Sequence, residues 1–230
     1  MRSQLIVTCE HGGNTIPQKY RDAFANADQA LCTHRGWDPG ALNLAKQISR
    51  YWAAELHSST TSRLLVDLNR SMTHSSLFSE WSRQLSPGEQ EQILAQYYHP
   101  YRARVTECVK QLVNSGKQVV HLSVHSFTPI FNGHVRSTDI GLLHDPHRQA
   151  ETEFVINWRK QLHVILKNSM VIHRNRPYRG TSDGVTTALR KSWNADRYLG
   201  IELEVSHNLL ATPNSFPRSL ALQLASTLPL

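Results

Sequence analysis

Apolar residues along this chain fall into two rhythms. Short β-rich runs break off abruptly in polar residues, and longer stretches repeat apolar positions every three or four residues. Leu5-Ile-Val-Thr8 runs straight into Glu10, His11, Gly12 and Gly13. Residues 63–66 (Arg-Leu-Leu-Val) run out into Asp67, Asn69 and Arg70, and residues 117–126 close on His125. Residues 198–205 carry Glu202 and Glu204 two positions apart, on one face of a strand, because strand side chains alternate with a period of two. Shorter strands are predicted at 140–143 and 170–172. Helical spacing begins after Asp38-Pro39, a good N-cap followed by proline at the first helical position. Ala41, Ala45, Ile48, Trp52 and Leu56 then share one apolar face. Ser86-Pro-Gly-Glu89 reads as a capping box that starts a helix running towards Asn114, with Gly116 ending it. Further helices are expected over 151–167, 185–192 and 215–228, and a partly helical stretch over 19–31. Residues 71–86 form a long polar loop, which suggests a lid or insertion. Residues 128–146 and 175–184 are turn-rich loops dense in polar groups.

Strands alternating with helices of these lengths predict an α/β fold: a three-layer α/β/α arrangement around a mostly parallel mixed sheet. With 230 residues, a single domain spanning 1–230 is expected. Hydrophobic content of 40% and charged content of 19% are ordinary for a soluble globular chain. The formal charge of +7 comes from scattered Lys and Arg, with no basic run. That favours an anionic substrate over nucleic acid. Cys9, Cys32 and Cys108 are odd in number and in no CxxC pattern, as in a reducing compartment. No secretory signal and no window of roughly 18 apolar residues is visible, so a cytoplasmic protein without a membrane partner is expected.

In open α/β sheets, ligands bind outside the carboxyl ends of the strands. His11 and His125 each close a strand and could meet at one such edge. Two imidazoles, one carboxylate and an open position make up a common catalytic zinc site. The carboxylate could be Asp38, Glu10 or Glu204, and spacing alone does not choose. HxH, HExxH and CxxC patterns are absent, as are a nucleophile elbow, a Walker loop and GxGxxG. Arg70 follows a strand end, and Arg174, Arg176, Arg179 and Arg190 surround the loop at 175–184. An anionic substrate would use one or two of them, because arginine grips a carboxylate through paired hydrogen bonds.

Taken in order, Cys9-Glu-His-Gly-Gly-Asn-Thr-Ile-Pro17, Trp37-Asp38, Asp67-Leu-Asn-Arg70, His121-Leu-Ser-Val-His-Ser126, Asn175-Arg-Pro-Tyr-Arg-Gly-Thr-Ser-Asp-Gly184 and Gly200-Ile-Glu-Leu-Glu-Val205 resemble the N-formylglutamate amidohydrolase family. The resemblance implies a fold similar to that of the zinc carboxypeptidases and aspartoacylases. It implies metal-dependent hydrolysis of N-acyl amino acids. By the same resemblance His11, Asp38 and His125 are zinc ligands, Glu204 is the general base, and Asn69 and Arg70 hold the substrate carboxylate. Glu10 is the fallback ligand, though family members place Pro there. The chain departs from the family after the strand carboxylate. It reads Val205-Ser206-His207 where many relatives carry an Arg or Asn two residues on.

These readings converge on a metal-dependent amidohydrolase using Zn²⁺ or another divalent ion. Its substrate would be a small anionic N-acyl amino acid, N-formylglutamate first among them. Arg176 or Arg179 would meet a side-chain carboxylate. The alternative is a zinc exopeptidase or amidase acting on a peptide or peptidoglycan fragment, which a polar lid at 71–86 over an open groove would favour. No role is assigned to Glu202.

Overall fold

The computed structural model describes residues 3–230. In chain order the strands and α-helices are β1 (Ser3–Cys9), α1 (Asp28–Leu31), α2 (Ala41–Trp52), β2 (Glu55–Ser58), α3 (Pro87–Ile93), α4 (His99–Asn114), β3 (Gln118–Phe127), β4 (Ile130–Phe131), β5 (His134–Val135), β6 (Ile140–Leu143), α5 (Gln149–Ile165), β7 (Ile172–Arg174), α6 (Val185–Arg190), β8 (Tyr198–Ser206) and α7 (Arg218–Ser226). Among the described residues, six strands form one sheet in the order β2-β1-β3-β8-β6-β7. β2, β1, β3 and β8 run parallel, β6 is antiparallel to β8, and β7 is parallel to β6. The mostly parallel mixed sheet expected from the sequence is present, with helices on both faces.

The central strands β3 and β8 are buried along their whole length. On one face Val120, Leu122, Val124, Ile201, Leu203 and Val205 join Leu44 and Ile48 of α2, Trp158 and Leu162 of α5, and Leu220 and Leu224 of α7 in one apolar cluster. On the other face Ile6, Val119 and Tyr198 join a second cluster with Tyr101, Val105 and Val109 of α4 and Leu189 of α6. This second face is apolar only near the amino ends of the strands. Towards the carboxyl ends the same positions become His121, Ser123 and His125 on β3, and Glu202 and Glu204 on β8, all buried. Burying such groups unpartnered is costly, so the surrounding loops must supply hydrogen-bond partners.

Several local expectations are corrected. Residues 63–66 are not a strand. Leu64, Leu65 and Val66 are buried in the second cluster, but on a turn and the irregular residue after it. Ser62 organises them by accepting from Leu64 N and donating to Gly36 O. The edge strand is β2 instead. Leu56 belongs to β2, because α2 ends at Trp52 and Ala53 takes a left-handed conformation with φ 47°. Asp38 does not cap α2. The capping position is Gly40 at φ 80°, where a Cβ would stand 2.6 Å from Leu210 Cδ2. The helix from the Ser86 capping box is interrupted by a π-helical turn, Leu94–Tyr98, just before Pro100. Proline lacks an amide donor and crowds the preceding turn, which accounts for the irregularity. Residues 71–86 form turns that pack against the body of the protein. Ser79 and Ser82 donate to the carbonyls of Leu64 and Leu65, and the Trp81 ring stacks on Phe24. Within 128–146, β4 and β5 make a hairpin whose turn is Asn132-Gly133, both at positive φ, the usual sequence for a two-residue hairpin turn.

Arg190, read from the sequence as a possible substrate contact, is a structural pin. Its side chain is 5% exposed and its Nε donates to both oxygens of the fully buried Glu151, at 3.0 and 3.2 Å. It also donates to the carbonyls of Gly180 and Gly200. It thereby joins α5, α6, β8 and the 175–184 loop. Without it Glu151 keeps Arg148, 3.1 Å away, as a charged partner, but the Gly180 and Gly200 carbonyls lose their donor, and breaking a buried pair costs at most roughly 3–5 kcal/mol. Arg190→Met is therefore expected to lower the unfolding free energy by up to that amount, read as a lower denaturant midpoint at an unchanged slope; a loss below about 1 kcal/mol would refute the pin.

Candidate active site

β1, β3 and β8 are parallel neighbours, so their carboxyl ends meet at one edge. The register sets His125 beside Glu204, and Ser123 beside both Thr8 and Glu202. His11 follows β1 by two residues, and its carbonyl accepts from Asp38 N at 2.9 Å, which draws the start of α2 to the same place. His11, Asp38 and His125 are buried, and one donor atom from each lies within 4.8 Å of the others.

The outer partners fix which imidazole nitrogen faces inward. His11 Nε2 lies 2.7 Å from Asp67 Oδ1. A carboxylate only accepts, so this nitrogen carries the proton. Ser123 has one hydroxyl proton, and it goes to Glu10 Oε2 at 2.8 Å. Its oxygen therefore accepts from His125 Nε2, 2.9 Å away. Both imidazoles then turn Nδ1 towards Asp38 Oδ2, at 3.4 Å from His11 and 2.8 Å from His125. Donors held tetrahedrally about 2.0–2.1 Å from a zinc stand ~3.3 Å apart, so this two-His, one-carboxylate set fits a divalent ion of that type.

The electrostatics follow from burial and pairing. Burial alone would raise Asp67, but Arg63 and His11 hold its carboxyl well below the usual range. Arg63 donates to Asp67 Oδ2 through Nε and Nη2, at 3.2 and 2.8 Å, and lies 3.5 Å from Asp38. Asp38 is likewise pulled below the carboxylate range by the two imidazoles, against the effect of burial. Burial would lower His125, yet its bond to Asp38 and the charges of Asp38, Glu204 and Glu10 push it up to about 10. Glu204 is the exception. Burial raises its carboxyl to about 8, with Asp38 and Glu202 adding to the shift and His125 opposing it. Its Oε2 is buried without a hydrogen-bond partner. Neighbouring Glu202 accepts from Thr186.

A cavity of ≈ 180 Å³ opens onto this cluster. It is lined by His11, Asp38, Asn69, Arg70, His125, Arg179 and Glu204, and also by His34, Arg63, Tyr178, Asp183 and Glu202. Seven of the sequence candidates thus come together. Arg176 does not join them: it is exposed and outside the lining. Asn69 Oδ1 accepts from Val185 N at the start of α6, and Arg70 Nη1 donates to Asp183 O at 2.7 Å. The Arg70 Nε is buried without a hydrogen bond. Arg136 stacks over Phe127, Phe131 and Tyr178, which ties the β4–β5 hairpin to the rim. Residues 71–86 contribute nothing to the lining.

Sequence reasoning missed Arg63, Asp67, Ser123 and the place of Glu10. Only the alternation His121-Leu-Ser123-Val-His125 hinted at Ser123, by putting it on the ligand face. Glu10 is a partner to Ser123 and to Tyr101, whose hydroxyl donates to Oε1 at 2.9 Å. Its Oε2 also lies 3.4 Å from His125 Nε2.

Fold and site define an α/β protein with a buried His-Asp-His donor set and a lone high-pKa carboxyl at the carboxyl edge of parallel strands, a layout suited to hydrolysis. The chain belongs to the N-formylglutamate amidohydrolase family, whose sequence profile matches residues 3–211. A gene product of Agrobacterium tumefaciens is similar in structure, with a TM-score of 0.78 and 29% identity over 97% of this chain and 85% of that one. The N-formylglutamate amidohydrolase of Ralstonia eutropha JMP134 shares the fold, with a TM-score of 0.72 and 18% identity over 99% of this chain and 92% of that one. No curated protein sequence matches the chain.

Two outcomes follow. Asp67→Ala removes the acceptor that orients His11. It should weaken divalent-metal affinity ~10–100-fold in chelator competition, and unchanged affinity would refute the role. In metal-free protein, Glu204 binds its proton more tightly folded than unfolded. Its contribution to stability therefore falls as pH rises from ~4.5 to ~8. Glu204→Gln should melt higher than wild type at pH 8 and the gap should close towards pH 5. At ~2–4 °C per kcal/mol the difference is several degrees, and a gap independent of pH would exclude the raised carboxyl.

Proposed function

We propose that this protein is a metal-dependent hydrolase of N-acyl amino acids, with N-formyl-L-glutamate as the first candidate substrate. The observation that carries this reading is the pair of Nδ1 atoms facing Asp38, beside an unpartnered Glu204, in an arginine-lined cavity of a family member. His11, Asp38 and His125 would hold the ion, with Zn²⁺ best suited to the donor set. Bound there, it would supply Lewis acidity and acidify a water.

The chain's own groups supply the rest. Glu204 accepts the proton of the attacking water and delivers it to the leaving nitrogen, so a carboxyl tuned towards neutrality suits both directions. Arg70 carries a buried Nε with no hydrogen bond, and with Asn69 it receives the substrate α-carboxylate. Arg179, which lines the cavity, receives a side-chain carboxylate. Arg176, which does not line the cavity, is not given that role. Asp67 and Ser123 keep the imidazoles from turning. The cavity is smaller than the ~300–1,000 Å³ of clefts for drug-sized ligands, which suits a small substrate. The peptide or peptidoglycan alternative called for a polar lid at 71–86 over an open groove, and that segment packs away from the cavity. The whole of 1–230 acts as one catalytic domain in this reading. No helix among the described residues is long and apolar enough to cross a membrane. Cys9, Cys32 and Cys108 are free thiols, which accords with a cytoplasmic location.

Purified protein should release formate from N-formylglutamate, lose activity on chelation and regain it with Zn²⁺. Glu204→Gln should lower kcat by at least ~10²-fold with little change in KM, whereas Arg179→Ala should act mainly on KM and more for formylglutamate than for formyl-amino acids without an acidic side chain. Chelator-insensitive turnover, or full activity in Glu204→Gln, would overturn the mechanism.

A further inference from the structure

Behind the cavity, at the outer edge of the sheet, three side chains meet that the hydrolytic reading does not use. β2 is an edge strand, paired only with β1 among the described residues. Glu55 and His57, two positions apart on it, project to the same side. α4 packs over that side and brings up Cys108. Glu55 Oε2 lies 3.4 Å from Cys108 Sγ, and Glu55 Oε1 lies 3.2 Å from His57 Nε2. One ligand atom from each residue lies within 4.8 Å of the others.

The His57 side chain is only 10% exposed, and its buried Nε2, though 3.2 Å from Glu55 Oε1, makes no aligned hydrogen bond. Such a nitrogen is costly to leave unsatisfied, and it is aimed into the cluster. Glu55, by contrast, is 62% exposed at its side chain and leaves the group open to solvent. A sulfur, an imidazole nitrogen and one carboxylate do not suit Mg²⁺ or Ca²⁺, which require mostly oxygen ligands. They suit a borderline-soft ion that takes four ligands of mixed type.

We propose that Glu55, His57 and Cys108 form a second metal site, distinct from the hydrolytic cluster, that binds Zn²⁺ or a similar thiolate-seeking divalent ion with water completing the shell. On binding, the Cys108 S–H bond breaks and a sulfur–metal bond forms. The proton passes to Glu55, whose Oε2 already accepts from the thiol, and then to solvent as that carboxylate turns to the ion. No electrons are transferred. Such an ion would clasp the sheet's edge strand to α4. It would also adjoin the network behind His125, because the His57 carbonyl accepts from the Tyr101 hydroxyl that holds Glu10.

The test is metal binding by the full chain, with Co²⁺ as the spectroscopic probe and Zn²⁺ for stoichiometry. Wild type should bind two equivalents of Zn²⁺, and the Co²⁺-loaded protein should show a thiolate-to-cobalt charge-transfer band in the near ultraviolet. Cys108→Ser should bind one equivalent, lose the band and keep hydrolytic activity. His57→Ala should weaken the second equivalent by more than the ~10–100-fold of an outer-shell change, which covers the case in which the serine variant folds poorly. His11→Ala should lose the other equivalent and retain the band, so failure of the hydrolytic reading would be seen separately. No band in wild type under excess Co²⁺, or a band that survives Cys108→Ser, would overturn the second site and leave the three residues a hydrogen-bonded cluster only.

Discussion

The Asp38 carboxylate, buried between two imidazoles, is the interaction on which this structure turns. It sits at the start of α2, yet it satisfies groups presented by β1 and β3. A buried carboxylate among imidazoles is tolerable only if every nitrogen has a partner. That requirement recruits Asp67 for His11, Ser123 and Glu10 for His125, and Arg63 to balance the two aspartates. The irregular segments make sense as carriers of those partners. Residues 62–70 forgo strand structure, so Asp67 and Arg63 can reach inward. The π-helical turn before Pro100 immediately precedes the helix that brings Tyr101 to Glu10.

The site divides into groups that are fully paired and groups that are left waiting. Asp38, Asp67, Arg63 and Arg190 are saturated and stiffen the edge of the sheet. Glu204 Oε2 and Arg70 Nε are buried without hydrogen bonds in the same cavity. Unsatisfied buried groups at a cleft mark where a ligand completes the structure. In the hydrolysis proposed above, the paired groups would hold still while Glu204 and Arg70 exchange partners.

Much of this was legible in the chain. The apolar strands that end in His11 and His125, and the alternation of Glu202 and Glu204, point to one edge of a parallel sheet from local pattern alone. The family resemblance singled out Asn69 and Arg70, and both line the cavity. The 63–66 run was misleading because Leu64, Leu65 and Val66 are buried whether or not they lie on a strand, and burial is all an apolar run reports. Asp38 misled in the other direction, since Asp-Pro is a sound helix start and nothing nearby shows that imidazoles 27 and 87 residues away claim its carboxylate. Arg190 looked like its neighbours Arg176 and Arg179, and only the packing of α5 against β8 makes it a pin.

By itself, then, the sequence determined the strands that end at the site, β1, β3 and β8, and which side of each strand their residues face, because those follow from a two-residue repeat and the burial of apolar side chains. It also determined the chemical types available at the edge. The tertiary structure alone decided the pairing: Nδ1 rather than Nε2 inward, Asp67 and Ser123 against the imidazoles, Glu10 accepting from Ser123 and Tyr101, and Arg179 rather than Arg176 at the cavity. Those choices depend on distances between groups far apart in the chain, which the strand order β2-β1-β3-β8 brings to one edge and no local rule encodes.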